Sequence, residues 1–324
     1  MTFRHVLAEW RKIALRPVTL LLFAVLAVGS VTTAFYAQDF WYDSEKNARV
    51  GVQYHESGES YRNCLEYNPK LGPAYCDRQE EGGLQNARQW LSDSEVMATE
   101  AARGQTLPGA FGWAAQAFAS FPGLLVVLLL AASSMGGEYD NRTAGNLLLA
   151  DPNVRRHILA KAAALWLTTA VALCFAGASV AAFAMVKGRP DYPLTAFYPS
   201  AGQDLAHGLR LVGGALLATA VWSLVAVALA SWSRNRVGGT LRAGAVLVVL
   251  MLGSGITWLW EWLPGGVLAE VMDFRPGHVL WNVWWGPASD GGVPLMVRAV
   301  PALLVTALGI AWVVRRAGRG NEVT

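Results

Sequence analysis

The chain has 324 residues, of which 54% are apolar and only 15% are Asp, Glu, Lys or Arg, against about 25% charged in ordinary globular domains. A mean hydropathy of +0.32 conceals long uncharged stretches around one polar block, which excludes a soluble two-domain protein and describes a polytopic membrane protein with one aqueous insert. A net charge of +3 without a contiguous basic stripe excludes nucleic acid as a partner.

A helix crossing ~30 Å of hydrocarbon needs about 20 mainly apolar residues, because its backbone polar groups must be satisfied within the segment. Six segments qualify, so the expected fold class is all-α with six transmembrane helices. The first span, Val18 to Ala37, follows Arg16-Pro17. With no small-residue cleavage site after it, it is expected to stay in the protein. A polar insert of ~70 residues, 39–109, comes next, then a second span over Phe111 to Met135, in which Pro122 predicts a kink and not a break. The third span fills the gap between Lys161 and Lys187, and the fourth runs from Leu211 to about Trp232. The fifth, Ala243 to about Leu263, contains Glu261, and the sixth, about Val293 to Val314, contains Arg298. A basic tail, 315–324, ends the chain.

Short cytoplasmic loops keep the positive charge. With both termini cytoplasmic, the inner segments hold 14 basic residues against five acids, and the outer side 12 against 18. The insert is therefore extracellular. Its 12 acids against seven bases make it a solvated block able to fold on its own, and the helix formers between Glu80 and Arg103 predict a helix. Cys64 and Cys76 both lie there. On the oxidising side of a membrane they can pair, closing a modest loop; two unpaired thiols are the alternative. Cys174, inside the third span, reads as a small packing residue.

Ten of the 14 Trp residues, among them Trp41, Trp113, Trp232, Trp262 and Trp312, fall near span ends, where an amphipathic ring favours the headgroup layer. Around residues 264–292, Trp281, Trp284 and Trp285 between Pro276 and Pro287 read as a short outer interfacial helix; a re-entrant element lining an exit is the sharper alternative.

Catalytic constellations are missing from the sequence. The five His residues show no ligand spacing, so no metal site is expected. Gly253-Ser254-Gly255 is not a GxSG protease motif, and Glu80-Glu81 lies in the insert, outside any membrane-embedded protease site. No GxxxxGK[ST] is present, so nucleotide energy must come from another subunit. The chain itself is expected to be neither an enzyme nor the holder of a cofactor.

The informative segment is the inner loop between spans two and three, 136–157. It carries Glu138, Tyr139, Asp140, Arg142 and Thr143 at the membrane mouth, a Leu run, Asp151-Pro152 as N-cap and first helical residue of the next span, then Arg155, Arg156 and Lys161. Such a hairpin can present a short helix to a cytoplasmic partner; an ordinary positively charged loop is the plain alternative. The order Glu138, Thr143, Leu147, Leu148, Pro152, Arg155, Lys161 resembles the inner loop of permeases of type 2 ATP-binding-cassette (ABC) exporters, roughly E-y-x-x-g-T-l...L-L...P...R...a-K. Arg142 stands where that family usually has Gly. Glu9, Arg11, Lys12, Arg16 and Pro17 resemble the family's amphipathic E-x-x-K helix, here residues 1–17, that precedes the first span.

The resemblance implies that the Glu138 loop is a coupling helix docking in a groove of a separate cytoplasmic ATPase subunit, with the helix around Glu9 resting on the same subunit. The coupling residues would be Glu9, Arg11, Lys12, Glu138, Tyr139, Arg142, Thr143, Arg155, Arg156 and Lys161. ATP and Mg would be bound by that partner. Six spans make half a transporter, so a second permease, the same chain or a paralogue, is implied, in the cytoplasmic membrane of a bacterium. Two rivals come from other classes: a membrane-embedded enzyme, for which the spans offer almost no convergent polar groups, and a non-transporting sensor or immunity protein whose insert binds a peptide or protein. Without any family, Glu261 and Arg298, the two charges inside the spans, are expected to approach each other near the outer leaflet; snorkelling of both is the alternative.

Overall fold

A computed structural model describes residues 3–143, 153–187, 201–253 and 295–319, with Leu149, Trp262 and Val267. Every element among them is helical, and five helices are long and apolar enough to cross a membrane. The chain is a multi-pass membrane protein. Leu20, Leu21, Val25, Val28, Val171, Phe175, Leu303, Leu304 and Leu308 are exposed along these helices, which water would penalise and lipid does not.

Helix α1 (Phe3–Ala14) is amphipathic. It buries Ile13 and packs Val6 and Trp10 on the core while Arg4, Arg11 and Lys12 stay in solvent. Pro17 then opens α2 (Pro17–Glu56), Arg16 being extended, as suits a proline in a first helical turn. At 1.5 Å per residue α2 is ~60 Å long, about twice the hydrocarbon thickness. The expected boundary after Ala37 is therefore not a helix end, and the first span runs on into the insert. Its body is a helical hairpin in which the outer half of α2 packs along α4 (Pro73–Arg103). Small buried residues, Ala48 on α2 and Ala87 and Ala98 on α4, form the seam. Ion pairs Arg49–Glu45 and Arg49–Glu95, both 2.7 Å, and Arg88–Glu56, 2.9 Å, lie along its solvated edge.

The predicted helix over Glu80 to Arg103 is the greater part of α4. Gly58 (φ 70°) and Gly72 (φ 76°) supply the left-handed residues that let the chain turn into α3 (Glu59–Tyr67) and back. Cys64 and Cys76 are joined by a disulfide at a sequence separation of 12. A loop of that size should contribute roughly 3 kcal/mol through the entropy it removes from the unfolded tip. Cys64→Ser is expected to speed proteolysis between residues 57 and 76 at least tenfold while the melting temperature of the membrane bundle stays unchanged, read by pulse proteolysis and a thermal scan in detergent.

Two expectations for the second span are corrected. The crossing helix begins at Phe121, and the segment before it, α5 (Leu107–Ala119), is a separate helix buried on nearly all sides. Ser120 is extended (ψ 170°), so Pro122 marks a break and not a kink. A proline ring collides with the preceding turn of a helix but is accommodated in a first turn. Here α6 (Phe121–Ala131) restarts with Pro122 in that first turn, and the Ser120 hydroxyl donates to the Ala117 carbonyl left over at the break. Gly123 keeps the site open, because a Cβ there would meet the Ala117 carbonyl oxygen at 2.6 Å and the Phe118 carbonyl carbon at 2.6 Å.

From α6 the helix passes through a single π-turn, Ala132–Gly136, into α7 (Gly137–Asp140). Then follow α8 (Val154–Lys187), α9 (Ala201–Ser233), α10 (Arg236–Gly253) and α11 (Leu295–Arg319). Helix α9 lies beside α5 and α6 and runs in their direction: Gly208 abuts Pro108, and the Trp222 indole N–H donates to the Leu124 carbonyl at 2.8 Å. Gly177 similarly receives the ring of Phe111, the close approach that small residues permit between membrane helices. The expected fifth span starts as α10; beyond Gly253, apart from Trp262 and Val267, its remainder and the Trp281–Trp285 segment lie outside the described residues. So does Glu261, whose expected partner Arg298 is buried and 2% exposed. Two single-residue expectations also change. Cys174 faces outward from α8 instead of packing inside, and Trp113 is buried, its indole N–H reaching Thr33 Oγ1 at 3.4 Å.

Candidate functional site

At the end of the bundle opposite the hairpin, three segments distant in sequence meet on one ammonium group. Lys161, in the second turn of α8, is 3% exposed. Its Nζ donates to Glu9 Oε2 of α1 at 2.6 Å and to Glu138 Oε1 of α7 at 2.7 Å. Glu9 Oε1 also accepts from Lys12 Nζ at 2.7 Å, one turn along the same helix. Burying a lone ammonium costs several kcal/mol, and two carboxylates in contact offset that penalty where one leaves part of it standing.

The electrostatics of Glu9 follow. Burial pushes its carboxyl upward, but the ammonium charges of Lys161 and Lys12 and their hydrogen bonds outweigh burial, so Glu9 stays below its ordinary value of 4.5. A lowered carboxylate stabilises the folded state above its unfolded pKa and loses that contribution as pH falls through the folded one. Docking of α1 should thus be unchanged from pH 7 to about 5 and weaken only below about 4.5. A spin label on Arg4→Cys, in a Cys174→Ser background, should report constant α1 mobility down to pH 5 and a rise below pH 4.

Around this ion cluster the chain is tied by contacts of a different kind. The Arg16 Nη1 donates at 3.3 Å to the carbonyl of Ser133, inside the π-turn, where the shifted backbone ladder leaves carbonyls for side chains. Gly136 and Gly137 lie against Arg236 at the start of α10: a Cβ on Gly136 would stand 2.7 Å from Arg236 Cα and 2.8 Å from its backbone nitrogen. Asp140 Oδ2 accepts from the Arg236 backbone N–H at 3.3 Å, its Nε lying 3.5 Å away. The Tyr139 hydroxyl sits 3.5 Å from Ser231 Oγ. Arg242 stacks 4.3 Å over Trp232, whose ring meets Trp312 edge-on.

Of the ten residues the sequence singles out, Glu9, Lys12, Glu138 and Lys161 converge in this cluster. Glu138 and Lys161 are bonded to each other within the chain. Tyr139 is half-buried, while Arg11, Arg142, Thr143, Arg155 and Arg156 are exposed at the same end. Arg142, where the resembling permeases carry Gly, adopts φ 57°, the left-handed conformation that glycine enters without cost. Thr143 Oγ1 donates back to the Glu138 carbonyl at 3.2 Å, closing the turn. The Leu run at 144–148 and Asp151-Pro152 lie outside the described residues. The cap of α8 is supplied by Asn153, whose side-chain oxygen accepts the Arg156 backbone N–H at 3.2 Å, in place of the expected Asp151.

Sequence reasoning puts Arg16, Asp140 and Arg236 on the inner side but assigns none of them a contact within the chain, and it misses Ser231. A signal existed for one of them: the Gly136-Gly137 pair beside Glu138 marks a position where another backbone comes close. Comparison with protein-family models, with curated proteins and with solved structures finds no match for this chain.

Proposed function

We propose that the chain is the membrane-spanning permease subunit of an ATP-driven exporter of the type 2 ABC kind, moving a peptide, drug or lipid-like substrate across the cytoplasmic membrane. The observation that carries this reading is the meeting of Glu9, Glu138 and Lys161, since Glu9 comes from the amino-terminal helix and Glu138 and Lys161 from the two ends of the inner-loop motif on which the resemblance rests. In this reading the α1 end is cytoplasmic. A separate ATPase subunit holds ATP and Mg and bears on the exposed residues Arg11, Arg142, Thr143, Arg155 and Arg156.

Force applied there has a physical route. Lys161 is bonded to α1 and to α7 at once, so α1, the end of the second span and the start of the third respond as one body. Through the Gly136–Arg236 and Asp140–Arg236 contacts the turn between α9 and α10 is carried along. A second permease, identical or paralogous, completes the pathway. The reading is tested by extracting the intact complex from its native membrane. An ATP-hydrolysing subunit and a second permease should accompany the chain, and transported compounds should change ATP turnover. Recovery of the chain without any nucleotide-hydrolysing companion would contradict it.

A second reading, a non-transporting sensor or immunity protein, draws on the hairpin. Its disulfide-closed tip presents Tyr67 at 78% and Leu71 at 53% exposure, about 30 Å of helix beyond Ala37 and so out of reach of lipid. The same preparation distinguishes the two, because a sensor retains a partner at the tip and no ATPase.

A further inference from the structure

At the α1 end of the bundle, three helices bring Trp232, Arg242 and Trp312 together. The Arg242 guanidinium of α10 lies 4.3 Å over the Trp232 ring of α9, and the Trp312 ring of α11 meets Trp232 edge-on, centroids 5.7 Å apart. Stacking engages the flat face of a guanidinium and leaves its N–H edge to donate. Arg242 is exposed, and among the described residues Arg242, Arg315 and Arg316 make no ion pair.

The place of this group in a bilayer follows from the charges around it. Arg242 is the last charge before the uncharged run that begins at Ala243, and Arg315 is the first after the uncharged run 299–314. Both mark one hydrocarbon boundary, the depth at which Trp rings settle. On the bilayer side Val246 and Val249 of α10 and Leu304 and Leu308 of α11 are exposed. Trp312, 59% exposed, ends the second of these stripes, and Arg315 and Arg316 follow one turn later on either side of its line. Arg242 also lies ~9 Å along α10 from Arg236, the residue that meets Asp140 at the mouth of the bundle. A soluble partner resting on the mouth does not reach that depth, and the phosphates of the adjoining leaflet do. An unpaired guanidinium held flat on a ring at phosphate depth, with two more beside the neighbouring ring, is complementary to an anionic headgroup.

We infer that Arg242, Arg315 and Arg316 form a headgroup site for an anionic phospholipid of the leaflet at the α1 end, the phosphate accepting from the N–H edge of Arg242 and the acyl chains lying along Leu304 and Leu308 outside the bundle. The lipid stays in the bilayer and needs no cavity. The site uses none of the residues assigned to the ATPase subunit, so it is independent of the transport reading.

The test uses the full-length chain, delipidated in mild detergent and titrated in native mass spectrometry with phosphatidylglycerol, with phosphatidylcholine of the same acyl chains, and with glycerol 3-phosphate. Phosphatidylglycerol should bind about tenfold more tightly than phosphatidylcholine, and glycerol 3-phosphate should not bind. Arg242→Gln, and separately the double variant Arg315→Gln with Arg316→Gln, should each cut that preference to about threefold or less. The two variants lie on different helices, so a shared loss is not a folding defect of one of them. Arg4→Gln, at an exposed cation of α1, should leave the preference unchanged. Equal affinity for the two lipids in the wild type, or an unchanged preference in Arg242→Gln or in the double variant, overturns the proposal. An equal loss in Arg4→Gln would mean a diffuse basic surface without a site and also overturns it. Binding of glycerol 3-phosphate as tight as phosphatidylglycerol would assign the arginines to a free phosphate, with the same consequence.

Discussion

Replacing Lys161 with Met should be the most damaging single change at the α1 end. The substitution keeps the apolar stem and removes the ammonium, leaving Glu9 and Glu138 half-buried with Lys12, 2.7 Å from Glu9, as the cation beside them. Breaking a buried ion pair by deleting one partner costs about 3–5 kcal/mol, and the lower end applies because both carboxylates keep some contact with solvent. The expected result is a loss of about 3 kcal/mol, release of α1 from α8, and loss of any ATPase bound at that end. A triple variant with Glu9→Gln and Glu138→Gln in the same chain should recover most of the stability, since no unpaired charge is then left behind. Denaturant titration in detergent reads the first effect, and co-purification reads the second. If Lys161→Met alone leaves both unchanged, the ion cluster does not hold this end together.

Gly136→Ala is the second large effect. A methyl group at that position would stand 2.7–2.8 Å from Arg236 Cα and N and from the Asn235 carbonyl carbon, all backbone atoms that cannot rotate aside. Overpacking of this kind costs about 1–3 kcal/mol, and the only relief is to push α10 away from the π-turn, stretching the Asp140–Arg236 contact. Gly29→Ala and Gly213→Ala provide the comparison, for nothing lies within 4 Å of either added methyl. In a helix those two should be neutral or stabilising by up to about 1 kcal/mol. Thermal unfolding of the three variants side by side should separate Gly136 from the others by several degrees. Equal melting temperatures would mean that the turn at Arg236 yields freely and transmits nothing.

Five of the six expected spans have a counterpart among the described helices, because length and the absence of charge suffice to read them, although the second begins ten residues later than expected; its neighbour α8 starts at Val154, a turn and more before Lys161, and ends at Lys187. Continuation of α2 past Ala37 was not legible, because a polar helix outside the membrane persists only if a second helix covers one side of it, and the packing of α4 along α2 is a tertiary fact. The break before Phe121 was hidden for a related reason. A proline in a membrane helix can bend it or restart it, and the choice rests on Ser120 satisfying the Ala117 carbonyl and on the space at Gly123. At the α1 end the residue types and positions were readable, but the pairing was not. Glu9 and Lys161 are 152 residues apart, and nothing in a single sequence joins them. Lys161 therefore read as a surface cation aimed at a partner, whereas it is the buried link between two of the chain's own segments.

The central claim is that the exposed residues beside this link receive a nucleotide-hydrolysing partner. The most direct measurement places a photo-crosslinking amino acid at Thr143, at Arg155, or at Tyr67 on the hairpin tip, and irradiates living cells. The account predicts a covalent adduct with one ATP-hydrolysing protein from Thr143 and from Arg155, lost when Lys161→Met is introduced, and no such adduct from Tyr67. An ATPase captured equally from all three positions, or from none, would contradict it.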